Sequence, residues 1–208
     1  MSKIEGDEPI KIILLGNSGV GKTSIINRYI CDSFKENRDI TFSSTSLNKE
    51  ITYKNKKYFV SVWDTAGQEK YYSVNKIFIK NAKIIILVYS VTVKESFEGL
   101  KYWHDFIMNN LNDQVILGLA GNKVDLLEED GYTLEVPTDE AEKCAEEWNA
   151  TFSLLSAKVD KKGIDDFFQA LVTKILDTSN LSGFERNSIR IGNDSNQKKQ
   201  KHNKRSCC

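Results

Sequence analysis

Two hydrophobic rhythms alternate along this chain. Strongly apolar runs fill residues 10–15, 83–90 and 115–120, with a shorter one at 152–155. Runs of that length predict strands buried on both faces. Residues 47–53 and 57–63 read as two further strands. The polar turn Lys54-Asn55-Lys56 between them is short enough to imply an antiparallel hairpin. Elsewhere the spacing becomes helical. Residues 24–30 continue a helix that starts near Gly21. Residues 96–111 place Phe97, Leu100, Trp103 and Ile107 on one face. Pro137 opens a helix running to about Trp148. Residues 163–176 turn Ile164, Phe167, Phe168, Leu171 and Ile175 inward.

Strands alternating with helices predict an α/β fold: a six-stranded, mostly parallel sheet with helices on both faces. The hairpin supplies one antiparallel edge strand. Ligands of such sheets bind at the carboxyl ends of the strands. No internal repeat is present. The apolar pattern stops after Asp177, so the reading is one domain over residues 10–178. A flexible polar lead of residues 1–9 precedes it. A disordered tail rich in Ser, Asn, Gln and Lys follows over residues 179–208.

Charge sharpens that division. The formal net charge is zero over 208 residues, yet residues 179–208 hold seven Lys/Arg against two Asp/Glu. An acidic body therefore carries a basic tail, suited to an anionic membrane or to nucleic acid. The tail lacks the aromatic platform of a nucleic-acid binder, which favours the membrane. No apolar run reaches the ~18 residues of a membrane span. Met1 to Pro9 does not resemble a secretory leader. Cys31 and Cys144 are isolated, and no cysteine spacing resembles a disulfide framework or a zinc site, as befits a reducing compartment.

Candidate chemistry lies just after the strands. Gly16-Asn17-Ser18-Gly19-Val20-Gly21-Lys22-Thr23 has the spacing GxxxxGK[ST] of a phosphate-binding loop. Its glycines free backbone N–H groups to cradle phosphate oxygens, and the helix that follows points its positive end at them. Lys22 adds a full charge for the β- and γ-phosphates, and the Thr23 hydroxyl suits Mg²⁺. Trp63-Asp64-Thr65-Ala66-Gly67-Gln68-Glu69 follows the second hairpin strand. Asp64 can hold Mg²⁺, directly or through water. Gly67 lets an N–H approach the γ-phosphate, and Gln68 can orient an attacking water. Asn122-Lys123-Val124-Asp125 follows the strand at 115–120. A carboxylate at Asp125 can accept both N1–H and N2–H of guanine, which adenine cannot offer. Lys123 can lay its stem against the base. In Ser156-Ala157-Lys158 a backbone N–H can donate to guanine O6. Each motif alone has an ordinary structural explanation, such as a strand-capping Asp or a Gly-rich turn. Their order along one chain is what gives them weight.

That ordered set resembles the small GTPases of the Ras superfamily, and most of all a Rab. The resemblance covers about residues 10–177 and the terminus. It implies a P-loop NTPase fold, binding of GTP and GDP with Mg²⁺, and hydrolysis of GTP. It extends the nucleotide site over Ser18, Gly19, Val20, Gly21, Lys22, Thr23 and Ser24. It implies that Phe34 packs on the guanine ring and that Thr41 ligates Mg²⁺ and contacts the γ-phosphate. Cys207-Cys208 resembles the doubly prenylated Rab terminus, with Lys198, Lys199, Lys201, Lys204 and Arg205 before it. Two lipid chains make membrane attachment stable where one does not. The implied partners are effectors, an activating protein, an exchange factor and the cytoplasmic face of an intracellular membrane. The chain would be a monomer cycling with the cytosol in vesicle trafficking.

The chain also departs from the family pattern. Thr41-Phe42-Ser43-Ser44-Thr45-Ser46 stands where Rabs typically read T-I-G-V-D-F. Ile77-Phe78-Ile79-Lys80-Asn81-Ala82 replaces a segment rich in Tyr-Tyr-Arg-Gly, and extra residues lie around 127–133. Two alternatives stay open on sequence: a nucleotide-gated binding module with negligible turnover, and a P-loop kinase.

Overall fold

The computed structural model describes residues 8–36, 45–65, 79–111 and 115–193, with side chains described as far as residue 178. The elements run β1 (Ile10–Leu15), α1 (Lys22–Cys31), β2 (Thr45–Tyr53), β3 (Lys56–Asp64), β4 (Ile84–Ser90), α2 (Lys94–Glu98), α3 (Leu100–Asn110), β5 (Ile116–Asn122), a 3₁₀ turn (Val124–Glu128), α4 (Thr138–Glu147), β6 (Thr151–Leu154) and α5 (Lys161–Asn193). The described strands form one six-stranded sheet in the order β2-β3-β1-β4-β5-β6. All neighbours are parallel except β2 and β3. The predicted α/β architecture, with its antiparallel edge strand, is present.

Period-two alternation splits the strand residues between two cores. Ile12, Leu14, Ile84, Ile86 and Val88 face α1 and α5. Ile13, Leu15, Ile85, Leu87 and Tyr89 face α3 and α4. A strand with helices on both sides has no solvent face, which is why β4 is buried at every position. Edge strand β2 alternates exposed and half-buried residues instead. The hairpin turn is tighter than expected. Lys54 and Asn55 both take positive φ, 47° and 63°, and Lys56 already pairs with Tyr53. Positive φ at both central residues is the type I′ geometry that matches strand twist.

Three boundaries differ from the sequence reading. The helix expected over residues 96–111 is two pieces, α2 and α3, meeting at Gly99. A Cβ on Gly99 would stand 2.9 Å from Asn17 Nδ2, so the phosphate-loop side chain packs against the break. Helix α5 starts at Lys161 because Asp160 Oδ1 accepts the Gly163 N–H at 2.8 Å, a side-chain cap upstream of the apolar stripe. Its far end also departs, since the backbone continues as helix to Asn193 where irregular chain was expected from Ser179. No proline interrupts that stretch, and propagation adds one hydrogen bond per residue once a helix is nucleated. Among the described residues, no helix is long and apolar enough to cross a membrane.

The α1–α5 side centres on Tyr29 and Phe168, whose rings stack at 3.9 Å and 11°. Lys49 of β2 places its ammonium over the Tyr29 ring and donates to the Tyr29 carbonyl at 2.8 Å. Phe168 is fully buried. Replacing it with alanine removes the ring and leaves a cavity, so Phe168→Ala is expected to cost about 3–5 kcal/mol. Urea unfolding checks this: the midpoint falls while the slope stays unchanged.

Candidate functional site

The strands that lead into the motifs, β1, β3, β5 and β6, run parallel, so their carboxyl ends share one rim of the sheet. Beyond β1 the chain turns at Gly16, which has φ 145°. A Cβ there would lie 2.1 Å from the Val88 carbonyl oxygen. Gly21 precedes α1 at φ 99°, and its Cβ would lie 2.2 Å from Asn122 Nδ2. Both positions therefore exclude any side chain, by conformation and by space. Lys22 is 5% exposed and folds back along the loop. Its ammonium donates to the carbonyls of Gly16 at 2.7 Å and Asn17 at 2.9 Å.

Thr23 Oγ1 donates to Asp64 Oδ2 at 2.7 Å, joining the start of α1 to the end of β3. Next to it, Thr65 Oγ1 donates to the Leu14 carbonyl at 2.7 Å, which fixes the end of β3 against β1. Among the described residues, no group of three or more His, Cys, Asp or Glu converges as a metal cluster. The candidate metal site is a hydroxyl beside a carboxylate. Hard oxygen donors next to a phosphate loop fit Mg²⁺, which keeps several waters and takes few protein ligands.

Asn122, 1% exposed, joins the other two loops. Its Nδ2 donates to the Val20 carbonyl at 2.8 Å, and its Oδ1 accepts the Ala157 N–H at 3.1 Å. Asp125 Oδ1 accepts the Ser156 hydroxyl at 2.5 Å. Ser156 Oγ in turn accepts the N–H groups of Lys158 and Val159 at 3.2 and 3.1 Å. Burial pushes the Lys123 pKa down, and the nearby Asp125 carboxylate opposes that shift. The Lys158 ammonium lies 3.2 Å from Glu36 and 3.3 Å from Glu129, and these contacts raise its pKa.

Residues 11–177 match the Ras family. The chain belongs to the Ras family. It is a small GTPase, an enzyme that hydrolyses GTP, and it resembles the Rab proteins. The Ras-like GTP-binding protein RYL2 of Yarrowia lipolytica is 34% identical over 80% of this chain and 81% of its own length. The GTP-binding protein YPT52 of Saccharomyces cerevisiae is 30% identical over 95% of this chain and 98% of its own. The Ras-related protein Rab-21 of Mus musculus is 33% identical over 82% of this chain and 75% of its own.

Most expected site residues meet in one cavity of about 420 Å³. Ser18, Gly19, Gly21, Lys22, Thr23, Ser24, Phe34, Asn122, Lys123, Asp125, Ala157 and Lys158 line it. Val20 and Ser156 stand behind its wall with buried side chains. The Ala157 N–H, a candidate donor to guanine O6, is engaged by Asn122. Thr41, Gly67, Gln68, Cys207 and Cys208 lie outside the described residues.

Lys35, Glu36, Thr65, Leu126 and Glu129 also line the cavity, and sequence reasoning did not single them out. Two signals were available. Glu36 is close to Phe34, and Glu129 falls in the extra segment at 127–133. Arg28 was missed as well. Its partners are the carbonyls of Ala157 and Lys158, too far along the chain for a spacing rule to reach.

The position of Asp125 on the cavity wall generates a base-specificity prediction. Asp125→Asn is expected to weaken GTP binding at least ~100-fold, because an amide cannot accept from both guanine donors. The variant is also expected to gain affinity for xanthosine nucleotides. Equilibrium titration with both nucleotides checks this. GTP binding at the parental level with no gain for xanthosine would remove Asp125 as the base reader.

Proposed function

We propose that this GTPase is a Rab-type switch that regulates vesicle trafficking at the cytoplasmic face of an intracellular membrane. The observation that carries the reading is the convergence, on one cavity, of a phosphate loop and a candidate guanine reader. Thr23 and Ser24 line its phosphate side, and Lys123 and Asp125 line its base side. A phosphate loop alone would serve a kinase equally well. Asp125 on the same wall, held by Ser156, supports guanine.

The division of labour follows from the side chains. Lys22 lies with its charge along the loop carbonyls, ready to stabilise the β- and γ-phosphates. The start of α1 adds the positive end of the helix dipole. Phe34 and Lys123 flank the base. Thr23, Asp64 and Thr41 would hold Mg²⁺, which offsets negative charge on the phosphate oxygens. Gln68 orients the attacking water, and Gly67 contacts the γ-phosphate. Sequence gives no clear arginine finger in cis, so turnover alone is slow and an activating protein supplies the missing cation. GTP orders the segments around Thr41 and Gly67, and effectors read that order. An exchange factor reloads the monomer, and lipid on Cys207 and Cys208 holds it at the membrane.

A second reading, a nucleotide-gated module with negligible turnover, draws on Phe42-Ser43-Ser44 in place of the usual switch sequence. Single-turnover GTP hydrolysis separates the two. Slow hydrolysis alone and roughly 10³–10⁵-fold acceleration by a Rab-type activating protein are expected, with the acceleration lost in Gln68→Leu. No hydrolysis under either condition would favour the binding module. For the anchor, replacing Cys207 and Cys208 together with serine is expected to move the protein from the membrane to the soluble fraction. Unchanged sedimentation with membranes would refute it.

A further inference from the structure

Arg28 lies on the second turn of α1, outside every motif, and is 15% exposed. Its guanidinium meets three residues, Ala157, Lys158 and Asp32, the last through both its carboxylate and, at 3.5 Å, its carbonyl. Nε donates to the Ala157 carbonyl at 2.9 Å and Nη2 to the Lys158 carbonyl at 2.7 Å. Nη1 pairs with Asp32 Oδ1 at 2.9 Å. A planar fork with its plane set by a carboxylate can hold two successive carbonyls in fixed directions.

The consequence runs through the peptide planes. In a trans peptide the carbonyl and the next N–H point in opposite directions. Holding the carbonyls of Ala157 and Lys158 toward α1 sends the N–H groups of Lys158 and Val159 away from it. Those two N–H groups are the ones that donate to Ser156 Oγ. A hydroxyl has two acceptor sites and one proton. With both acceptor sites taken, its proton is left for Asp125 Oδ1, which accepts it at 2.5 Å.

We infer that Arg28 is a positioning residue for guanine recognition, acting on Asp125 through the backbone of residues 157–159 and the Ser156 hydroxyl. This rests on the reading of Asp125 as the residue that accepts from guanine. It also ties base recognition to α1, the helix that begins in the phosphate loop, so the two ends of the nucleotide share one support.

The test compares GDP with inosine diphosphate, which keeps O6 and N1–H but lacks the 2-amino group. Arg28→Ala is expected to release GDP roughly 10–100-fold faster, the range for losing charge-assisted hydrogen bonds. More tellingly, its preference for GDP over inosine diphosphate is expected to fall about tenfold, as a misdirected carboxylate no longer reads the 2-amino group. Arg28→Lys keeps the charge but not the fork and is expected to recover only part of that preference. Ser156→Ala is expected to lower it as well, and adding Arg28→Ala to Ser156→Ala is expected to change it little further. Equal weakening of both nucleotides by Arg28→Ala, with the preference intact, would show a merely structural role and overturn the inference. If Asp125→Asn also left the preference unchanged, the base-reading assignment would be at fault. A changed preference in Asp125→Asn with none in Arg28→Ala would overturn the Arg28 inference alone. Circular dichroism and thermal melting of each GDP-loaded variant identify any variant that fails to fold, and Arg28→Lys then carries the comparison.

Discussion

The cavity owes its shape to one buried carboxamide. Asn122 donates to the Val20 carbonyl and accepts from the Ala157 N–H, so a single side chain spans the phosphate loop and the loop after β6. Neither loop belongs to a strand or helix that could fix it alone. A buried amide that lost either partner would leave a polar group dry, at a cost of about 1–3 kcal/mol. The brace also explains why Gly21 must lack a side chain, since the amide occupies the space a Cβ would need. Asn122 was expected to touch nucleotide. It does line the cavity, and its contacts within the protein show it equally as the strut between two halves of the site.

The hairpin carries a second kind of coupling. Thr45 opens β2 and Asp64 closes β3, and the two are register partners. The chain therefore enters the sheet at the start of β2 beside the point where it leaves at the end of β3. The other end of the hairpin is tied down, with Tyr53 Oη donating to Asp177 at 2.5 Å and Lys54 paired to the same carboxylate at 2.9 Å. Lys49 links the middle of β2 to Tyr29 on α1 and to Asp165 on α5. The hairpin is thus fastened at its turn and in the middle of β2 to the two helices of one face.

The fold was legible because its strands and helices differ so plainly in period. The run Ile84 to Ser90 could hardly be read otherwise, and the hairpin turn announced itself by polarity. Much of the cavity was legible for a different reason, since phosphate and guanine chemistry demand particular residue types at fixed short spacings. What escaped was contact between residues distant in sequence. Arg28 meets carbonyls that any residue could supply, so no pattern at 157 and 158 marks them. Glu129 and Glu36 converge on Lys158 only because the loops fold toward each other. The break at Gly99 was hidden because apolar spacing continues across it. The extra turns of α5 escaped because no apolar period marks the sequence after Asp177, and backbone hydrogen bonding needs none.

The Asn122 brace is made to main-chain atoms at both ends. It imposes nothing on the identity of Val20 or Ala157 beyond fit, since every amino acid brings a carbonyl and all but proline bring an N–H. The same holds for the carbonyls gripped by Arg28. The loops are therefore framed by a few fixed side chains acting on an anonymous backbone. Such a frame tolerates sequence drift in the loops it holds while the cavity keeps its form.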